Sequence, residues 1–433
     1  MTYKGRTIAS MVRPLYVSGP ISDGLIMPFL YRSLNLTDAV FLGLAAMLGA
    51  GIFAAITPAF AAAGGYIIFS LLIAGAIAYC NAVSSAQLAA CHPQAGGTYL
   101  YARERLNPTA GFIAGACFLS GKSASGAAMA LTFAHYAAPG YEKPAALGAL
   151  CLLTGLNLWG IEKTARVSRI IVTLVVLALL LLVAACLSAP AAQPNRLIPT
   201  ADFSLYGLAQ GAAIWFFAFA GYARLATLAE EVNNPSRVLT RAIPLSLFLV
   251  LGLYLCVLIG VLLVTPPDRL VQAKAPLTLA LSHTALASFS PVLRLVASLA
   301  CLGVLVALIA GISRTLLAMS RNRDMPTYFS TLSAERNIPV RAELAVAGVI
   351  AVVIMFLEVT EAIGFSAFCV LLYYALANAA ALKLAPQERH WPIAYSYAGL
   401  IACLLLALSV PLISLLLGSV TVLGLTLYYR YRR

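Results

Sequence analysis

Charge is scarce in this sequence. Only 10% of the 433 residues are charged, 15 Asp and Glu against 28 Lys and Arg, with four His besides. A soluble globular chain carries about 25% charged and about 45–50% apolar residues, whereas here 62% are hydrophobic and the mean hydropathy is +0.93. That balance excludes a soluble globule and leaves an all-α, polytopic membrane protein, with membrane lipid as its solvent. Also missing are HExxH, Walker A, GxSxG and CxxC, so no cofactor and no metal site are expected. Of the cysteines, Cys117, Cys151, Cys186, Cys256, Cys301, Cys369 and Cys403 lie within apolar runs and read as packing residues.

The charge that is present is lopsided, at a net +13. Twelve spans with a cytoplasmic N-terminus put 22 of the 28 Lys and Arg on the inner side, five outside and Lys122 within a span, as the positive-inside rule asks. The excess is thus a topology signal. The basic residues are scattered over short loops instead of forming one patch, which argues against nucleic acid as a partner. The expected location is the cell (inner) membrane, multi-pass, with both termini cytoplasmic. Residues 1–36, with Pro14, Gly19, Pro20, Gly24 and Pro28, lack a signal-peptide pattern and read as a cytoplasmic tail. Spans are expected near 37–62, 65–90, 109–138, 144–160, 167–188, 205–229, 243–265, 291–319, 342–358, 361–384, 392–410 and 412–430. Between the second and third, Gln94 to Pro108 has a Gly-Gly turn and then an amphipathic stretch suited to an interfacial helix.

Two spans carry interruptions. Leu42 to Gly65 is a membrane-length apolar run with Gly49-Ala50-Gly51 near its middle. Glycines there either unwind the helix, so that freed backbone groups face something polar, or let helices pack closely; the local sequence allows both. The sixth span repeats the feature at Phe216-Phe217-Ala218-Phe219-Ala220-Gly221, about 170 residues on, the offset that two inverted five-helix repeats produce. The repeats would be 37–188 and 205–384, with 392–430 forming two additional transmembrane helices.

Four segments in order, LGAGIF (Leu48 to Phe53), QAGGTYLYARERL (Gln94 to Leu106), FFAFAGYARLATLAEEVNNPSR (Phe216 to Arg237) and GISRTLLAMSRNRDMP (Gly311 to Pro326), carry a resemblance. Over residues 34–384 the chain resembles permeases of the amino acid-polyamine-organocation superfamily, in the cationic amino acid transporter-like branch. The resemblance implies a leucine-transporter-type fold, a 5+5 inverted repeat plus two helices, with an amino acid or related amine held between the broken first and sixth spans. It implies that the N–H groups of Gly49, Ala50 and Gly51 bind carboxylate. The carbonyls of Ala46, Met47, Phe217, Ala218 and Ala220 would bind ammonium, and Phe216 or Phe217 would gate. An unwound helix supplies both kinds of partner. The chain departs from its relatives in having no acid between Gly221 and Glu230, and in having Val175 where proton-coupled relatives have a lysine. It has no Ser or Thr from Leu299 to Ile312, where the fold's sodium ligands would lie, so sodium independence is expected.

Lys122 is the one full charge placed near mid-span. It costs about 2.5–3.5 kcal/mol on insertion scales and should face the bundle interior. It is a coupling candidate, with protons as the coupling partner; the alternative is a lysine satisfied by broken-helix carbonyls or by Ser120, Ser123 and Ser125. Tyr373 and Tyr374 either offer hydroxyls to the pathway or pack. His135, His283, Glu358 and Glu361 read as surface or interfacial residues. Glu230 and Glu231 either pair with Arg237 or Arg241 at an inner gate or are plain surface charge. The function this supports is a sodium-independent secondary active transporter, a symporter or an exchanger. The alternatives are an intramembrane enzyme or an amine or polyamine exchanger; a channel is disfavoured, since no filter motif repeats.

Overall fold

The computed structural model describes residues 34–92, 96–159, 165–199, 203–222, 224–225, 232, 234–333 and 338–432. Among the described residues the regular structure is helical, apart from an isolated parallel bridge between Leu34 and Val232. The helices in chain order are α1 (Leu36–Met47), α2 (Ala50–Ala54), α3 (Ile56–Ala63), α4 (Ile67–Cys91), α5 (Thr98–Arg105), α6 (Pro108–Ala137), α7 (Glu142–Leu158), α8 (Ala165–Leu187), α9 (Leu205–Phe219), α10 (Pro235–Val264), α11 (Pro267–Leu270), α12 (Pro276–Ser282), α13 (Ser290–Arg321), α14 (Val340–Phe356), α15 (Val359–Ala381), α16 (Ala394–Leu408) and α17 (Leu412–Arg432). Among the described residues seven stretches are long and apolar enough to cross a membrane. The chain is a multi-pass membrane protein.

Helix ends follow local chemistry. Asn35 caps α1 by accepting from the Asp38 amide at 2.9 Å while the Asp38 carboxylate accepts from the Asn35 amide at 3.4 Å, a reciprocal pair that satisfies two orphan donors. Asn107 caps α6 with Pro108 in the first turn, where a missing N–H costs nothing. The seventh span differs from expectation: a single 30-residue helix starts at Pro235 and runs through Pro244, where a span from 243 was expected. Proline costs an interior hydrogen bond, but neighbours in a bundle can re-satisfy the freed carbonyl.

α6 is the axle. It is 30 residues long, yet falls outside the seven apolar stretches because Gly, Ser and Lys122 dilute it. Nearly all of it is buried, and it packs most extensively on α13 and α15. A helix shielded from lipid on every side has no need of apolar side chains, and small residues let its neighbours approach closely. Lipid-facing apolar surface lies instead on α8 and α17, where Leu177, Leu181, Leu416, Val420 and Leu427 are exposed. α16 is attached by polar contacts at depth: Asn378 donates to Asn81 at 2.5 Å, Asn81 donates to the Cys403 thiol at 3.1 Å, and Ser84 and Ser396 share a 2.9 Å bond. All nine cysteines are free.

The expected interfacial segment is α5, entered through Gly96 (φ 145°) and Gly97 (φ 55°), positive angles that a side chain would strain. It is clasped at its C-terminal end. Arg105 meets Glu388 with two hydrogen bonds, at 2.6 and 3.0 Å, and its Nε donates to His92 Nε2 at 2.9 Å. His92 must then carry its proton on Nδ1, which points to Glu104 at 2.8 Å. The Arg105 hydrogen bonds, with a backbone amide from Ala385, hold the Glu388 carboxyl down at about 2. A depressed carboxylate contributes stability that is fully present above its unfolded pKa and is lost as pH falls through the folded one. The clasp should therefore weaken as pH falls from about 4.5, the ordinary glutamate range, toward 2. Melting of purified protein between pH 5 and pH 3 is expected to drop further for wild type than for Glu388→Gln; equal slopes would show that this pair contributes nothing.

Candidate functional site

Two helix breaks meet inside the bundle. α1 ends at Met47, and Gly49, with φ −73° and ψ −124°, leaves helical space before α2 begins at Ala50. Ala55, between α2 and α3, keeps right-handed helical angles (φ −76°, ψ −22°), so Leu48-Gly49 is the true interruption. α9 ends at Phe219 and tightens into a 3-10 turn over Ala220–Tyr222. Of the rest of the expected sixth span, Ala223 and residues 226–229 lie outside the described residues, as do Glu230 and Glu231 just beyond it.

Glycine allows the two breaks to touch. A Cβ on Gly51 would lie 2.8 Å from the Ala218 Cα and from the Tyr254 hydroxyl; on Gly221 it would overlap the Ala46 carbonyl, and on Gly49 it would overlap Val304 of α13. The two sequence readings of Gly49-Ala50-Gly51 are therefore compatible: the helix is interrupted, and its glycines are points of close backbone approach.

Three side chains from three other helices close on the break carbonyls. The Tyr254 hydroxyl of α10 lies 2.6 Å from the Met47 carbonyl and 3.3 Å from that of Ala218. Lys122, halfway along α6 and buried, donates to the Ala220 carbonyl at 3.0 Å. The Tyr374 hydroxyl of α15 reaches the same carbonyl at 3.4 Å. Of the carbonyls expected to receive an ammonium, Met47, Ala218 and Ala220 are thus already accepting hydrogen bonds from the protein. Each keeps further lone-pair capacity. Ser125 goes elsewhere, to the Gly121 carbonyl at 3.1 Å and Ser366 at 2.7 Å, so of the two structural partners considered for Lys122 the broken-helix carbonyl is the one observed.

Aromatic rings wall the breaks. Phe216 is fully buried and meets Tyr374 edge-on, with ring centroids 5.7 Å apart, and Tyr222 lies 5.0 Å from the same ring. Phe219 and Trp215 flank Tyr254 at 5.4 and 6.2 Å. Phe217 is also buried. Tyr254 was not singled out from the sequence, although a lone hydroxyl in Leu253-Tyr254-Leu255 within a Leu-rich span was the available signal. His283 faces its own helix, with Nδ1 2.8 Å from the Leu279 carbonyl, and Glu358 with Glu361 caps α15 at the surface.

An all-helical multi-pass chain whose two broken helices meet inside the bundle is built as a membrane transporter. The chain belongs to the amino acid permease family, whose profile, described as Amino acid permease, matches residues 38–433. An uncharacterized transporter of Mycobacterium tuberculosis is 45% identical over 405 residues, covering 94% of this chain and 92% of the relative. The vacuolar cationic amino acid transporter 2 of Arabidopsis thaliana is 28% identical, covering 84% and 62%, and the branched-chain amino acid permease BcaP of Bacillus subtilis is 26% identical, covering 93% and 94%. The protein is a transporter and not an enzyme, which sets aside the intramembrane-enzyme alternative.

Proposed function

We propose that the protein moves amino acids or related amines across the cell membrane by alternating access, without sodium, as a proton-linked symporter or an exchanger. The observation that carries this reading is the contact between the break at Gly49 and the break at Ala220, on helices five expected spans apart. Twelve spans in a 5+5 inverted repeat, 37–188 and 205–384, with helices 392–430 added and both termini cytoplasmic, is the arrangement in which such a pair forms one midplane site. The substrate carboxylate is assigned to the amides of Gly49, Ala50 and Gly51. Its ammonium is assigned to the carbonyls of Ala46, Met47, Phe217, Ala218 and Ala220, with Phe216 and Phe217 as gate. Lys122, bonded to one of those carbonyls, is the coupling group.

The sodium-independent part rests on side chains. The small hollow beside α1 is lined by Ala45, Leu48, Ile171, Val172, Val175 and Ala300, which offer no side-chain oxygen to a hard cation. Reconstituted uptake of a radiolabelled amino acid panel tests the proposal. Replacing sodium with choline is expected to leave the rate unchanged, and a strong drop would refute sodium independence. Lys122→Met should lose accumulation driven by a pH gradient while retaining counterflow; continued pH-driven accumulation would exclude Lys122 as the coupling group.

A further inference from the structure

We infer that Lys122 selects the substrate's charge, and that the preferred amino acid carries a carboxylate in its side chain. The inference rests on the transporter reading above and adds the substrate class. Lys122 is buried at the centre of α6, and its ammonium has three donors, one of which goes to the Ala220 carbonyl. No described acid forms an ion pair with it. Asp38 is held by Arg169, Asp324 by Arg103 and Glu388 by Arg105. A buried charge is costly until something of opposite sign joins it.

A second cation lies close along the chain. Arg224, four residues beyond Ala220, donates to the Ala307 carbonyl of α13 at 3.0 Å. The stretch after the break, Gly221-Tyr222-Ala223-Arg224, contains no acid. Charge counting then separates three substrate classes. A cationic amino acid would bring Lys122 and the ligand to a net charge of two in a low-dielectric interior. A zwitterion would leave the lysine charge unbalanced and set its own ammonium beside the Ala220 carbonyl that Lys122 already occupies. An acidic amino acid brings the total to zero, with its side-chain carboxylate available to the remaining Lys122 donors. Lys122 is thus placed to act on specificity through the bound ligand.

The experiment is uptake into proteoliposomes of radiolabelled L-glutamate, L-aspartate, L-leucine, L-glutamine and L-arginine, for wild type, Lys122→Met and Lys122→Arg. Each purified protein is also melted with and without the same five compounds. Wild type is expected to take up an acidic amino acid at least about ten-fold faster than the neutral or cationic ones, and to be stabilised by it. Lys122→Met should lose that preference by a similar factor while gaining ground on L-glutamine, and Lys122→Arg should keep it. Wild-type transport of L-leucine or L-arginine with the acids excluded would overturn the inference and leave the transporter reading intact. Transport of none of the five, with none stabilising the protein, would overturn the inference; extending the assay to the full amino acid panel then decides the transporter reading separately. The wild-type preference decides the matter even if Lys122→Met does not fold.

Discussion

Gly51→Leu is expected to abolish uptake in protein that still inserts and purifies as a single species. The position has no room: a Cβ alone would sit 2.8 Å from the Ala218 Cα, and a leucine adds three carbons beyond it. Overpacking costs about 1–3 kcal/mol where side chains can move aside, but here one obstacle is the backbone of α9, so the two breaks must separate. Separation also strains the Tyr254 hydroxyl, which spans Met47 and Ala218. Gly51→Ala should give a smaller loss, because a single methyl group requires a shift of tenths of an ångström. Radiolabelled uptake together with size-exclusion behaviour checks both variants. Ordinary uptake by well-folded Gly51→Leu would show that the meeting of the breaks is packing alone and that the site lies elsewhere.

The second large effect is expected at Asp324, just after α13. Its buried carboxylate accepts from the Tyr99 hydroxyl at 2.7 Å and pairs with Arg103 at 2.5 Å, both on α5, while Asn322 donates to the same tyrosine at 2.9 Å. Asp324→Ala removes the shared acceptor and leaves a guanidinium and a phenol facing a cavity. Breaking a buried pair costs about 3–5 kcal/mol. Arg103 retains 25% of its side-chain exposure, so a loss on the order of 2–3 kcal/mol is the appropriate expectation after allowing for solvent screening. The apparent melting temperature of Asp324→Ala should fall clearly below wild type, whereas Arg321→Ala, one turn away and exposed, should melt as wild type does. Equal melting of the two variants would mean that the α5 anchor is not a stability element. The same substitution is expected to raise amide exchange in 98–105, since α5 loses its tie to α13.

What could be read from the sequence follows from what is local. The chain's membrane character and the two candidate interruptions needed only hydropathy and glycine position, because a bilayer forces backbone hydrogen bonds to close within each span. Gly49-Ala50-Gly51 was visible as a candidate for that reason, while the choice between unwinding and close packing, and Gly49 as the point of the break, came from the structure. The α5 segment was visible as well, since a Gly-Gly turn and an amphipathic stretch announce themselves within fifteen residues.

Other features depended on partners far along the chain. Asp324 and Tyr99 are 225 residues apart, and Tyr254 and Met47 are 207 apart; no local pattern records such pairs. The sequence alone determined that Lys122 is a costly charge at bilayer depth that must face the interior. It left open which group the lysine would meet. Tertiary structure decided that, setting its ammonium 3.0 Å from the Ala220 carbonyl, the first residue beyond α9. The physical reason is that a helix terminus exposes carbonyls without intrahelical donors, and which buried donor reaches them depends on how α6, α9 and α15 pack, a property of the assembled bundle and of none of its helices separately.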